Sequence, residues 1–459
     1  MHVPKLRKKY GLLTAIAMIV GVVTGSGVFF KTEAVLNATG GDVRTGVAAW
    51  ALVGLVMVMC SNAFSVLASR YERANGLVDL AEAETGPRFS FLLGWFLATI
   101  YYPSLNAILA WISARYLCIL FGVTELTGGM SMLLTAFFLV LLFVFNSLAP
   151  VVAGHFQVAV TAVKVIPLIC MAVFGAIAGS DSGMLARNFY TSTPTFGDGS
   201  LFSAMIAVAF AYEGWIIAVS INGELRNAKR NMPMALTLGS LIIVALYVFF
   251  YIGLTGVLTV ESLMTSGQNA VFHAFEVLFG SGIGRVVFVF LVISCIATCN
   301  GLTLANCRGF YALAARRHIS ARFAVLDPHS NMPHASALLS LLLSMVWLLH
   351  FYGSSISTPW FPNLFCFDSS ELPIITLYGL YIPIFLMMMK REKEMRFFPR
   401  FVLPLLAIVC CLCMVAACAF VHRTQMLGYL LVFAVDSGIG IVFYRRQKSL
   451  NSARKSRCP

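Results

Sequence analysis

Long apolar runs alternate with short polar segments along the whole chain. A helix that crosses a bilayer needs about 20 consecutive apolar residues, and the runs reach or approach that length. The pattern predicts twelve spans, at residues 12–36, 46–68, 89–120, 131–149, 151–178, 201–225, 235–258, 284–314, 335–352, 366–389, 401–421 and 424–444. Because the loops between them are short, we expect an all-α polytopic membrane protein without a separate soluble domain.

The first span is interrupted by small residues. Gly21, Gly25 and Gly27 lie within seven residues, and Ser26 separates the last two. Glycine is a poor helix former and every backbone group in lipid needs a partner, so we predict a helix broken at mid-depth at Gly25, Ser26 and Gly27. The N–H groups of Ser26, Gly27 and Val28 would then begin a second half-helix, whose dipole and free donors favour a carboxylate. Close helix packing through small residues is the alternative explanation.

The sixth span contains a second irregularity, the segment Phe210-Ala211-Tyr212-Glu213-Gly214-Trp215. A break here would expose the carbonyl oxygens of Phe210, Ala211 and Tyr212 at the end of a half-helix, which attracts a cation such as an ammonium group. The first and sixth spans each open a five-span unit. Interrupted helices at matching positions of two halves are typical of transporters built from inverted repeats. Together the two breaks offer the donors and acceptors that an α-amino acid zwitterion needs.

Lys164 lies near the middle of the fifth span. An ammonium group at the bilayer centre is costly unless it has partners, so we expect it to contact backbone carbonyls released at the break in the first span. It would act either as a fixed pin between helices or as a functional switch. In the eighth span, Ser294 and Thr298 are one turn apart and share a helix face, although such hydroxyls often bond only to their own helix. Asp436 in the twelfth span has no explanation at this level.

The composition agrees with a membrane protein. Hydrophobic residues make up 59% and charged residues 11% of the chain, against roughly 25% charged in soluble domains, and the mean hydropathy is +0.86. The net charge is +13, but 25 of the 32 Lys and Arg lie at the termini and on one side of the predicted membrane, whereas Lys31 and four others are assigned to opposite loops. The positive-inside rule places that basic side, with both termini, in the cytoplasm and leaves no role for nucleic acid. No signal-peptide cleavage site follows the basic N-terminus, so we expect the first span to remain.

Other chemistries are not supported by the residues. The twelve cysteines lie mostly inside spans, and Cys295 and Cys299 share a face without a nearby His or Asp, so no metal or other cofactor is expected. None of the eight histidines lies mid-span at a metal-ligand spacing, which speaks against an intramembrane enzyme. The repeated polar or carbonyl-rich segments of a channel are also missing. A membrane-embedded amino-acid sensor without net transport remains the alternative to a carrier.

Five motifs occur in order along the chain. They are Gly21-x-x-x-Gly25-Ser26-Gly27-x-Phe29, the mid-span Lys164 preceded by Gln157 and Thr161, Phe210-Ala-Tyr-x-Gly-Trp215, Glu224-Leu-Arg-Asn-x-x-Arg-Asn-x-Pro233 and Ser294-Cys-x-x-x-x-Asn300-Gly301. The ordered set resembles the L-type amino-acid transporters of the amino acid–polyamine–organocation superfamily, and the likeness covers the whole twelve-span plan. The chain departs from that family at Val66 to Ser69, at Asn75 and Gly76, and at Ala228.

The resemblance implies an amino acid permease with a ten-helix inverted-repeat core at residues 12–389. A cytoplasmic N-terminus (1–11), two additional helices (390–444) and a basic cytoplasmic tail (445–459) would complete it. It also implies sodium-independent transport of amino acids across the plasma membrane, by exchange or linked to protons, with the need for a partner subunit left open. The substrate would contact Gly25, Ser26, Gly27, Val28, Phe210, Ala211, Tyr212 and Glu213. Lys164 would replace a coupling sodium ion and join Gly21 to Ser294 or Thr298, and Glu213 leaves the choice between neutral and basic substrates open.

Overall fold

The computed structural model describes residues 10–71, 76–123, 128–190, 199–217, 219 and 225–455. Apart from a bridge between Tyr10 and Leu225, the regular elements within these ranges are helices. Eleven helical segments are long and apolar enough to cross a membrane, and a bent pair near the N-terminus brings the candidate spans to as many as twelve. The predicted all-α, polytopic membrane class is therefore confirmed.

The helices follow one another with short connections. In the first half of the chain they are α1 (Leu12–Val23), α2 (Gly27–Ala38), α3 (Val43–Arg70), α4 (Leu77–Thr85), α5 (Pro87–Phe96), α6 (Tyr102–Leu120), α7 (Gly129–Leu148), α8 (Pro150–Cys170), α9 (Ala176–Asp181), α10 (Met184–Tyr190) and α11 (Ser200–Ala211). In the second half they are α12 (Ala228–Val257), α13 (Val260–Thr265), α14 (Asn269–Cys307), α15 (Gly309–Ala315), α16 (His334–Phe351), α17 (Leu372–Arg391), α18 (Leu403–Val421) and α19 (Arg423–Lys455). Turns of π-helix extend or join four of the spans, at Leu97–Tyr101, Met171–Gly175, Tyr352–Ile356 and Phe398–Val402.

The helices α1 and α2 form the broken first span. Their axes differ by 49°, and the three residues between Val23 and Gly27 are not helical. Thr24 closes α1, because its N–H and its hydroxyl both donate to the carbonyl oxygen of Val20, at 2.8 and 2.6 Å. The break predicted at Gly25, Ser26 and Gly27 is confirmed.

The sixth span is interrupted after α11. This helix ends at Ala211, a turn covers residues 212–214, and a short 3-10 turn follows at 215–217. Gly214 has a φ of 105°, in the left-handed region that favours glycine. The second predicted break is therefore confirmed as well. Glu224 in the loop motif beyond it, and Asn75 after the second span, lie outside the described residues.

The third span changes its hydrogen-bond register at the π turn Leu97–Tyr101, between α5 and α6. Pro103 in the first turn of α6 has no N–H, so the carbonyl oxygen of Thr99, four residues earlier, lacks its α-helical donor. The indole Nε1 of Trp347 in α16 donates to this oxygen at 3.0 Å. Proline at this position accounts for the freed carbonyl, whereas the π turn and the tryptophan that donates to that carbonyl follow from the packing of the helices.

Packing of the long helices places the fifth and eighth spans beside the first break. Helix α1 packs against α8 and α12, and α14 packs against α6 and α8. Small residues allow α12 to approach the fifth span closely, since a Cβ on Gly175 would lie 2.5 Å from the carbonyl oxygen of Gly253. The middle of α8, which carries Lys164, consequently faces the end of α1.

Three features differ in position from the sequence analysis. The tenth span begins at Leu372 rather than 366, because the Asp368 carboxylate accepts hydrogen bonds from the backbone N–H and the hydroxyl of Ser370, both at 2.6 Å, and so stabilises a turn. The last helix extends beyond the predicted span, which ends at 444, and continues to Lys455. Lys31, assigned above to an outer loop, is buried within α2.

Candidate functional site

A cavity of about 240 Å³ lies between the two helix breaks. Among the residues predicted to contact substrate, it is lined by Gly25, Ser26, Gly27, Phe210, Ala211 and Glu213. Tyr101 of the third span and Thr298 of α14 complete its polar lining. Val28 and Tyr212 are not among the lining residues, and the Tyr212 hydroxyl instead donates to the carbonyl oxygen of Trp50 at 3.0 Å. The sequence analysis assigned the backbone N–H of Val28 and the backbone carbonyl oxygen of Tyr212 to the site, and that assignment stays a prediction.

One wall of this cavity is the N-terminus of α2. Ser26 is the N-cap residue, and the first N–H groups of the helix have no partner within it. The Ser26 hydroxyl is buried and makes no hydrogen bond within the described part of the chain. These donors, together with the positive end of the helix dipole, suit a carboxylate group.

Both glycines of the break also allow close approach of neighbouring helices. A Cβ on Gly27 would lie 2.5 Å from the Cα of Ala211, and a Cβ on Gly25 would lie 2.5 Å from the Thr298 hydroxyl. A helix break and close packing were alternative explanations of this stretch, and the structure combines them. A larger side chain at Gly27 would push the two half-helices apart, because the atom that it meets belongs to the backbone.

A second wall of the cavity is the C-terminal end of α11 and the side chain that follows it. The Tyr101 hydroxyl donates to Glu213 Oε1 at 2.5 Å, which holds the carboxylate at the cavity wall. The helix end and the carboxylate both attract a positive group. The cavity therefore has one wall suited to an anion and one suited to a cation, as an α-amino acid requires.

Lys164 joins three spans next to this cavity. Its Nζ is buried and donates to the carbonyl oxygen of Gly21 and to the Thr298 hydroxyl, each at 3.1 Å. The Thr298 hydroxyl in turn donates to the carbonyl oxygen of Ser294 at 2.9 Å. The expected contact with the first span is present, and Thr298 rather than Ser294 is the partner on α14. The Ser294 hydroxyl has no hydrogen-bond partner among the described residues.

Comparison with known proteins identifies the family. The model of the family described as amino acid permease matches residues 10–444, which is nearly the whole chain. The chain belongs to the amino acid permease family. It is therefore a multi-pass membrane transporter rather than an enzyme, and the resemblance stated from the motifs is confirmed.

Curated relatives align over most of the permease. It is 30% identical over 383 residues to the serine/threonine exchanger SteT of Bacillus subtilis (strain 168), an alignment that covers 83% of this chain and 82% of the relative. It is 24% identical over 445 residues to the human b(0,+)-type amino acid transporter 1, with 96% and 88% covered. The human cystine/glutamate transporter is 23% identical over 351 residues, with 75% and 68% covered.

A charged cluster on the far side of Phe210 was missed by the sequence analysis of the permease. Lys31 Nζ donates to Glu371 Oε1 at 2.8 Å and lies over the Phe210 ring, 5.6 Å from its centroid. His422, between α18 and α19, pairs with Glu371 Oε2 at 3.2 Å, and this hydrogen bond raises the pKa of His422. The cluster joins α2 to the start of α17. In the sequence, the lone lysine inside the first apolar run indicates this cluster, but the sequence analysis assigned that lysine to a loop.

Proposed function

We propose that the permease exchanges amino acids across the cell membrane without sodium. The observation that carries this proposal is the pair of hydrogen bonds from Lys164 to Gly21 and Thr298. A sodium ion that coupled transport would need oxygen ligands near the broken span, and the lysine ammonium already uses a carbonyl and a hydroxyl there. An ammonium group bound at this place would make a sodium ion there unnecessary.

The two walls of the cavity orient the substrate in this proposal. The substrate carboxylate binds the N-terminus of α2 at Ser26 and Gly27, and its ammonium binds the end of α11 and Glu213. The rest of the lining is largely apolar and includes Val23, Leu105 and Ile217, which favours a small or medium neutral side chain. The alignment with a serine/threonine exchanger supports serine and threonine as the first substrates to test.

Basic amino acids are the second candidate substrates. Glu213 lines the cavity. If its carboxylate does not pair with the α-ammonium group of the substrate, it would attract a cationic side chain. Tyr101 holds the carboxylate through Oε1, and a cationic side chain would approach the carboxylate from the cavity. Competition by lysine or arginine against serine distinguishes this candidate from the neutral one.

Proteoliposomes test the proposed function directly. Vesicles that contain the purified permease are loaded with unlabelled serine or left empty, and labelled serine is added outside in sodium or potassium buffer. Exchange predicts uptake that requires internal serine and is equal in the two buffers. Uptake into empty vesicles that follows an imposed proton gradient would instead identify a proton-linked permease. Saturable binding without uptake in any arm would support the sensor and overturn the proposal.

The orientation and division of the chain are also part of the proposal. We place both termini in the cytoplasm and the protein in the plasma membrane, on the basis of the basic residues described above. We further propose that residues 12–389 form the transport core and residues 390–444 the two additional helices. The proposal needs the bilayer and the amino acid as partners and no nucleic acid, metal or other cofactor, and it leaves the need for a partner subunit open.

A further inference from the structure

A second cavity lies away from the substrate site. It measures about 550 Å³, more than twice the volume of the cavity between the breaks. The third span, α16, α19 and the segment that contains α15 enclose it. Val346, Ile439 and Phe443 on its rim are 60, 47 and 48% exposed on the apolar outer surface. In a membrane this surface faces lipid, so a molecule would reach the cavity from the bilayer.

Asp436 is the ionisable side chain of this second cavity within the described part of the chain. It lies near the middle of the last span, and its Oδ2 accepts a hydrogen bond from the Thr99 hydroxyl at 2.9 Å. No lysine, arginine or histidine of the described residues forms an ion pair with it. A carboxylate at this depth without a counter-ion is costly, and such residues generally mark a functional site.

Aromatic side chains form much of the remaining wall. The Trp95 Nε1 donates to the backbone carbonyl of Asp436 and the Trp347 Nε1 donates to that of Thr99, each at 3.0 Å. Because both indole N–H groups are engaged by the protein, the tryptophans present only ring surface to an occupant. Ring faces attract cations and apolar groups alike. The wall is therefore complementary to an apolar body, and Asp436 is complementary to a positive charge on it.

We propose that this cavity binds a compact apolar molecule that carries one ammonium group, with Asp436 as its counter-ion. The size of the cavity falls in the range of small-ligand sites, roughly 300–1,000 Å³. The ammonium pairs with the free side of the Asp436 carboxylate while Thr99 holds the other. The apolar body packs among Trp95, Trp347 and Leu343. A molecule of this class partitions into the bilayer and enters past Val346.

The test uses 1-aminoadamantane as the probe and 1-adamantanol as its uncharged counterpart of the same shape. Purified full-length protein in phosphatidylcholine nanodiscs binds labelled 1-aminoadamantane, and nanodiscs without protein supply the background from lipid partition. We expect saturable binding. Displacement of the labelled amine should need at least tenfold more 1-adamantanol than unlabelled 1-aminoadamantane. Asp436→Asn, which keeps an oxygen for Thr99, is expected to weaken amine binding at least tenfold.

Further variants separate loss of the site from loss of the fold. Asp436→Glu restores the charge and should restore amine binding, whereas Leu343→Trp fills the cavity and should abolish it. Glu213→Gln should not alter amine binding, because Glu213 belongs to the substrate cavity. Equal binding by Asp436→Asn and wild type would overturn the proposal. Equal potency of the alcohol and the amine would also overturn it and would identify a site for sterol-like hydroxyl compounds. The absence of saturable binding would overturn it too and would mean that lipid chains fill the cavity.

Discussion

Lys164 gives the residue-scale prediction that tests the proposed coupling. Lys164→Ala removes the hydrogen bonds to Gly21 and Thr298, and bonds from a charged donor each contribute about 1.5–3 kcal/mol. We expect the variant to bind serine within a few-fold of wild type but to lose at least nine-tenths of its exchange, because the bonds hold the broken span against α14 in one access state. Binding by scintillation proximity and exchange in proteoliposomes measure the two properties separately.

A matched pair of hydroxyl variants on α14 controls this prediction. Thr298→Val removes an acceptor of the Lys164 ammonium at nearly constant volume and should reduce exchange less than Lys164→Ala does. Ser294→Ala, one turn away, should behave as wild type because the Ser294 hydroxyl makes no hydrogen bond within the described residues. Sodium-stimulated uptake by the wild type would contradict the proposed role of Lys164, since an ammonium group and a sodium ion would need the same oxygens.

Glu213 gives a second residue-scale prediction, on substrate selectivity. If its carboxylate reaches the substrate, Glu213→Gln should weaken inhibition of serine uptake by lysine and arginine more than inhibition by alanine. Tyr101→Phe removes the hydrogen bond that orients the carboxylate. It should also weaken inhibition by lysine and arginine relative to inhibition by alanine, but less than Glu213→Gln does. Tyr102→Phe is the neighbouring control. An unchanged competition profile in Glu213→Gln would mean that the carboxylate is bonded within the protein and does not contact the substrate.

The residues of the site were predicted where a polar group interrupts an apolar run. Lys164 and Glu213 stand out in this way, because a charge at mid-depth is rare. The choice between Thr298 and Ser294 could not be predicted, since both lie on one helix face and the rotation of α14 decides between them. The bond between Tyr101 and Glu213 likewise depends on how two distant spans pack.

At the scale of elements, the approach of α2 to α11 gives the next prediction. Gly27→Val places a side chain against the backbone of Ala211, and overpacking of this kind costs about 1–3 kcal/mol. We expect loss of serine binding while the detergent-solubilised protein stays monodisperse by size-exclusion chromatography. Gly154→Val is the control, because a Cβ at Gly154 has no heavy atom within 4 Å. Wild-type transport by Gly27→Val would place the carboxylate site elsewhere.

The short helix α4 gives a prediction on pH. Burial, with the nearby Glu392 carboxylate adding to it, raises the pKa of Glu84 to about 7. Between the ordinary pKa of a glutamate, about 4.3, and this value the folded state binds more protons than the unfolded state. The free energy of unfolding therefore falls as the pH rises through this window. We expect the melting temperature of the wild type, compared with Glu84→Gln, to decline from pH 5 to pH 7.5.

The control for this measurement is Glu261→Gln, at an exposed position in the first turn of α13. It should leave the pH dependence of melting unchanged. If Glu84→Gln and wild type decline in parallel, protonation of Glu84 is not linked to folding.

Hydropathy predicted the helical elements well. Their ends and irregular turns depend on contacts of side chains with the backbone and with other helices, which hydropathy does not describe. The tenth span begins late because of the turn at Asp368, whose side chain competes with the helix for backbone donors. The π turn in the third span is stabilised by Trp347 from α16 and by Asp436 from α19. In the sequence, Pro103 is the residue that indicates an irregular helix at this place, but it does not specify a π turn.

For the whole molecule, the distribution of basic residues predicts the orientation in the membrane. A green fluorescent protein fused after Pro459 should fluoresce in intact cells, and alkaline phosphatase at the same position should be inactive, because the tail lies in the cytoplasm. Fusions of both reporters between α9 and α10, on the opposite side, should give the reverse result and serve as the control. Active phosphatase at the C-terminus would contradict the assignment.

The division between a core and two additional helices stays a prediction, and the contacts across it are extensive. Helix α18 packs against α3 and α11, and α19 packs against α5. The last helix also supplies Asp436 to the second cavity. The additional helices therefore pack against the second, third and sixth spans. Hydropathy alone could not predict these contacts, because every span is similarly apolar.

The π turn Leu97–Tyr101 has a mechanical consequence, because it holds one residue more than an α-helical turn. If this surplus residue moves along the helix, the residues it passes rotate by about 100° about the axis. Thr99 and Tyr101 both belong to the turn and bond to Asp436 and Glu213, on opposite sides of the helix. A single slip of register would therefore break both bonds together. We expect a change at one cavity to reach the other through rotation of the third span rather than through bending of it.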